Sequence, residues 1–140
     1  MTELEPALVA AYLAANYRVL GAEAPFVLHV DVPSAPLAAF HAAHRVTCSA
    51  LLTACNPASI PRSADVNAAA HRRLEAWLSG TGLQWVDAIG EDPAGTWAAE
   101  ASVLVPGLER EAGERLARDF GQNAFVWAGA DALPRLLLLR

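Results

Sequence analysis

A chain of 140 residues with a formal charge of -5 fits one domain, residues 1–140, that buries about two thirds of the surface it exposes when unfolded. The apolar fraction is 54%, but no unbroken apolar segment approaches the roughly 18 residues a membrane helix needs, and the acidic start Met1-Thr2-Glu3-Leu4-Glu5 lacks the cationic head of a signal peptide, so a cytoplasmic protein with no membrane partner is expected. All ten basic residues are arginine, which excludes lysine Schiff bases and lysine-bearing phosphate loops, and dispersed arginines under a net negative charge argue against a nucleic-acid partner.

The opening predicts a helix. Thr2 and Glu5 have capping-box spacing, Pro6 falls in the first turn, and Leu4, Leu8, Ala11, Tyr12 and Ala15 recur at helical intervals until about Asn16. Residues 17–20 and 25–32 read as strands across a turn at 21–24, the second alternating Phe26, Leu28, Val30 and Val32 against Val27, His29 and Asp31. Ser34 then offers an N-cap for a short helix carrying Leu37, Phe40, His41 and His44.

Residues 46–57 come next, and the rest of the chain is organised around them. Neither side of their alternation is charged: Val46, Cys48, Ala50, Leu52 and Ala54 fall on one face, Thr47, Ser49, Leu51, Thr53 and Cys55 on the other. That pattern predicts a strand buried on both faces, ending where Pro57 removes a ladder donor and leaving Thr53 and Asn56 near its exit. Cys48 and Cys55 point to opposite faces of such a strand, so free thiols are expected.

Ser63 caps the next helix, whose positions Val66, Ala70, Leu74, Trp77 and Leu78 follow the 3.6 period up to Ser79-Gly80-Thr81-Gly82. Residues 83–88 read as a short strand, 89–96 as a loop and 97–105 as a strand. Leu108, Ala112, Leu116 and Phe120 step by four along a last helix, with Gly121 suited to a left-handed cap. Strands at 122–128 and 135–139 close the chain around a loop at 129–134. The order predicts an α+β fold with a mixed or antiparallel sheet and helices mainly on one face: a ferredoxin-like, split βαβ core with an added N-terminal helix and strands. The closing Leu136-Leu137-Leu138-Leu139 is leucine on both faces, so either the strand is interior or a homodimer contact covers it.

Candidate site residues are polar rather than charged. Asn67, in the first turn after Ser63, is positioned to converge with Asn56, and the two amides read either as ties for the loop or as part of a ligand site. Trp97, Glu100 and Ser102 form a second group in which Glu100, the only charged side chain of its strand, is the best acid/base candidate. Gln122 and Asn123 add two amides just after Gly121. The four histidines carry no HExxH spacing and no CxxC pair accompanies them, so no metal and no cofactor is expected.

Residues 53–57 (Thr-Ala-Cys-Asn-Pro), Asn67, the Trp97…Glu100…Ser102 stretch and Phe120-Gly121-Gln122-Asn123-Ala124 together give a chain that resembles a bacterial domain-of-unknown-function family, the one numbered 3293, over about residues 12–139. Cys55 stands where that family usually has tryptophan. The resemblance implies a shared polar set, Thr53, Asn56, Asn67, Glu100, Gln122 and Asn123, and no mechanism. The reading reached is a small domain that binds a neutral or polar small molecule through an amide-rich pocket; the alternative is a structural or regulatory module that works as a homodimer.

Overall fold

The computed structural model describes residues 4–22 and 24–139. Helix α1 (Pro6–Ala14) begins with Pro6 where its missing N–H costs nothing; Thr2 of the expected capping box lies outside the described residues. Strands β1 (Asn16–Val19) and β2 (Phe26–Leu28) follow, then α2 (Ala35–His44), capped by the Ser34 hydroxyl accepting from Leu37 N–H at 3.1 Å. The central strand β3 (Ser49–Thr53) is shorter than its apolar run. After a 3-10 turn (Pro57–Ser59) comes α3 (Ala64–Thr81), whose Ser63 cap accepts from Val66 N–H at 3.2 Å and whose chain leaves through left-handed Gly82. Strands β4 (Val86–Glu91) and β5 (Glu100–Pro106), helix α4 (Arg110–Asp119), and strands β6 (Ala124–Ala128) and β7 (Arg135–Leu138) complete the fold. No helix among these is long and apolar enough to cross a membrane.

The seven strands form one sheet in the order β2-β1-β4-β5-β3-β6-β7, and every pairing is antiparallel. Two apolar clusters lie on its two sides. Ala50, Leu52, Val103, Val105 and Phe125 pack with Leu74 and Leu78 of α3 and Leu116 of α4. The residues that alternate with them, Leu51, Leu104 and Val126, pack instead with Val19, Leu28 and with Leu37 and Phe40 of α2. Helices therefore cover both faces, where the sequence reading placed them mainly on one; an uncharged second face on the central strands has to be covered, and α2 with the N-terminal hairpin does it.

Several boundaries differ from the sequence reading: β2 stops at Leu28 rather than at 32, and β4 and β6 begin at Val86 and Ala124 rather than at 83 and 122. Residues 89–91 belong to β4 rather than to a loop, because strands pair with them on both sides, Tyr17 of β1 and Glu100 of β5 standing opposite Gly90. Trp97 precedes β5 instead of opening it. On α3, Val66 and Trp77 are exposed and only Ala70, Leu74 and Leu78 are buried, because the inward stripe is narrower than the apolar periodicity. β7 is an edge strand, not an interior one. Leu136 packs into one cluster, Leu137 and Leu139 into the other, and Leu138 is left 47% exposed.

Candidate functional site

The exit of β3 is fixed by its own side chains. The Thr53 hydroxyl donates to the Ala101 carbonyl at 2.7 Å and accepts from Cys55 N–H at 3.0 Å, which ends the strand and turns the chain. Asn56 then adopts the left-handed region, φ 46° and ψ 61°, a conformation asparagine tolerates better than most residues. From there its backbone N–H donates to Asn67 Oδ1 at 2.9 Å, while Asn67 Nδ2 returns a hydrogen bond to Asn56 Oδ1 at 2.8 Å. Asn56 Oδ1 also accepts from Arg62 N–H at 2.9 Å. The amide orientation that these bonds fix leaves Asn56 Nδ2 facing Glu100, to which it donates at 2.7 Å.

Glu100 is the first residue of β5, opposite Gly90 of β4. Burial raises its pKa above the usual glutamate range, and the hydrogen bond from Asn56 works against that rise. The remaining polar residues close the loop from the other side. Gln122 Nε2 donates to the carbonyls of Cys55 and Phe120 at 3.0 and 3.3 Å. Asn123 Nδ2 donates to Ser59 Oγ at 2.9 Å, and Ser59 Oγ also hydrogen-bonds the Tyr12 hydroxyl of α1. Tyr17 donates its hydroxyl to the Tyr12 carbonyl at 3.0 Å, so two tyrosines fasten α1 to the sheet; burial raises the Tyr17 phenol pKa first, with the neighbouring Tyr12 and Glu100 adding to it.

These contacts enclose a cavity of about 220 Å³. Thr53, Asn56, Glu100 and Gln122 line it, together with Ser102 and Trp97 from the second sequence group. Asn67 and Asn123 do not; they stand behind the wall and hold Asn56 and Ser59 in place. Asn123 Oδ1 is buried without a hydrogen-bond partner. Sequence reasoning missed Tyr12, Tyr17 and Ser59, which also line the cavity. Nothing local marks them, since Tyr12 meets Ser59 across 47 positions of chain.

Other chemistry lies elsewhere. His41 Nε2 is 2.8 Å from Ser49 Oγ, and burial, then the nearby His44, lower its pKa; His44 packs edge-on against Phe40. His71, Glu75 and Asp87 bring one potential metal ligand each within 4.8 Å of one another, but none of the three lines the cavity and Asp87 is exposed. Both cysteines are free and buried. Burial is the largest cause raising both thiol pKa values, so neither resembles an activated nucleophile.

No curated protein and no solved structure matches the chain. A family model described as "Protein of unknown function (DUF3293)" matches residues 52–125, the segment that runs from β3 through α3, β4, β5 and α4 into β6, and the chain belongs to that family.

Proposed function

We propose that this member of the family binds a small molecule in the cavity between α1 and the ends of β3, β5 and β6, with Glu100 as the group that recognises it. One observation carries the reading: a carboxylate set into a mostly apolar cavity is held at one oxygen by Asn56, at 2.7 Å, and receives no hydrogen bond at the other among the described residues. A cavity lined by apolar side chains with a few convergent polar groups is the usual form of a ligand site, and one carboxylate with a raised pKa is the usual form of an acid or base. At about 220 Å³ it lies below the roughly 300–1,000 Å³ of pockets for drug-sized ligands, so the ligand is small. The scaffold of the site is read as a ferredoxin-like core, which the order β4-β5-β3-β6 and the two crossover helices α3 and α4 support.

Crystals soaked with a metabolite mixture test the proposal. Bound density beside Glu100 is expected; a cavity filled by its own side chains, with no metabolite raising the melting temperature, would overturn it. A second reading, a homodimer without catalytic activity, is favoured by the open edge of β7 and its exposed Leu138. Sedimentation in dilute solution separates the two, since a pocket needs no second copy.

A further inference from the structure

The polar atoms left open in the cavity are unequal in strength. Gln122 gives its amide nitrogen to two carbonyls, Thr53 its hydroxyl hydrogen to Ala101, Ser102 its hydroxyl hydrogen to the Glu100 carbonyl at 3.1 Å, and Tyr17 its phenol hydrogen to Tyr12. Asn56 spends one amide hydrogen on Glu100. The side-chain donors still unspent among the described residues are the second Asn56 amide hydrogen, the Trp97 indole N–H and one hydroxyl hydrogen of the Tyr12–Ser59 pair, which shares a single hydrogen bond. The open acceptors are stronger: Glu100 Oε1 and Gln122 Oε1 receive no hydrogen bond among the described residues. Among the described residues Glu100 is the only charged side chain lining the cavity, and no arginine lines it to neutralise the carboxylate. Four aromatic residues, Tyr12, Tyr17, Trp97 and Phe125, share the lining with it. Aromatic faces attract cations and add nothing for anions, and a buried carboxylate without a countercharge is completed by a ligand that brings one.

We infer that the ligand of this cavity is a small organic monocation, a protonated amine with a short apolar or aromatic tail. The ammonium sits at Glu100 Oε1, among the aromatic residues, and the tail packs on the apolar wall that includes Leu52, Phe125 and Leu136. Anionic ligands are disfavoured because they would meet Glu100 with no cation to offset it. The inference rests on the pocket reading above and narrows it to one class of ligand.

Matched pairs of equal shape and different charge separate the two. The 15N-labelled chain is titrated with benzylamine against benzyl alcohol, and with isobutylamine against isobutanol, while the backbone amide signals of Asn56, Trp97 and Ser102 are followed. The amines are expected to shift these signals saturably at concentrations at least tenfold lower than their alcohols do. Glu100→Gln keeps an oxygen for the Asn56 donor and should abolish the preference, leaving amine and alcohol equal. A measurement on the unaltered chain makes the same point without relying on the variant's folding: amine affinity should rise with pH as Glu100 loses its proton, and alcohol affinity should not. Among the described residues the other titratable side chains beside Glu100 are the phenols of Tyr12 and Tyr17, which line the cavity, and the Cys55 thiol, which burial and Glu100 both push up. Alcohols that bind as well as amines, or an amine affinity that is flat with pH, would overturn the cation assignment while leaving a small-molecule pocket. If neither member of any pair perturbs these signals, the pocket reading fails and the inference fails with it.

Discussion

Asn67→Ala removes the two hydrogen bonds that hold Asn56 in its left-handed conformation, those of 2.9 and 2.8 Å between the two amides. A protein hydrogen bond contributes about 0.5–1.5 kcal/mol net, so the pair amounts to about 1–3 kcal/mol, with the higher values applying where the Asn56 N–H stays sheltered from water. Against this, alanine is a better helix former than asparagine by up to about 0.7 kcal/mol at this position of α3. The hydrogen bonds win, and a net loss of about 0.5–2.5 kcal/mol is expected. Urea unfolding followed by tryptophan fluorescence reads it, at a slope of about 2 kcal/mol per molar, as a midpoint lower by roughly 0.25 to 1.25 molar, with the slope unchanged. Because both bonds run between the same two residues, a double-mutant cycle with Asn56→Ala should return a coupling of about 1 kcal/mol or more. A coupling below about 0.3 kcal/mol would refute the reasoning, since it would mean that the loop is held by its backbone and not by this pair.

Gly121 has φ +71° and its Cβ would lie 2.9 Å from Pro57 Cβ, so Gly121→Ala combines left-handed strain of about 1–2 kcal/mol with a clash of about 1–3 kcal/mol. Gly82→Ala, at φ +78° with open space around it, meets the strain alone, and equal losses in the two variants would show that the Pro57 contact is not tight. The Glu100 pKa is raised in the folded state, so between the usual glutamate value near 4.3 and the raised one the folded chain binds more protons than the unfolded chain, and this residue's contribution to stability falls as pH rises through that window. Glu100→Gln removes the slope: the variant should gain on the unaltered chain from pH 4 upward and hold the gain at neutral pH, whereas parallel pH profiles in chemical unfolding would contradict the burial of the carboxylate.

The fold was legible where a residue's role is decided by its neighbours in sequence. Ser34 and Ser63 cap their helices through bonds only three residues long, and the uncharged alternation of residues 50–52 marked β3 as covered on both faces. It was not legible where a distant segment decides. Gly90, next to Glu91, Asp92 and Pro93, reads locally as loop, yet it continues β4 because β1 and β5 pair with it from either side. The leucines of β7 illustrate the same limit: the sequence says that both faces need partners, and only the packed molecule shows Leu136 going one way and Leu137 the other, with the strand still at an edge.

For the site, the amides of Asn56 and Asn67 lie along a single chain of contacts. The Ser63 cap sets where α3 begins, which sets Asn67; Asn67 fixes the Asn56 amide so that its oxygen faces Arg62 N–H and its nitrogen faces Glu100. Were that amide turned over, an oxygen would face the Glu100 carboxylate and the only hydrogen bond to its side chain would be lost. Of the amides behind the wall, Asn67 orients Asn56 toward Glu100, while Asn123 holds Ser59. Neutral, hydrogen-bonded donors and acceptors tie this partly buried loop without adding a second charge to the wall, so among the described residues lining the cavity Glu100 alone carries one.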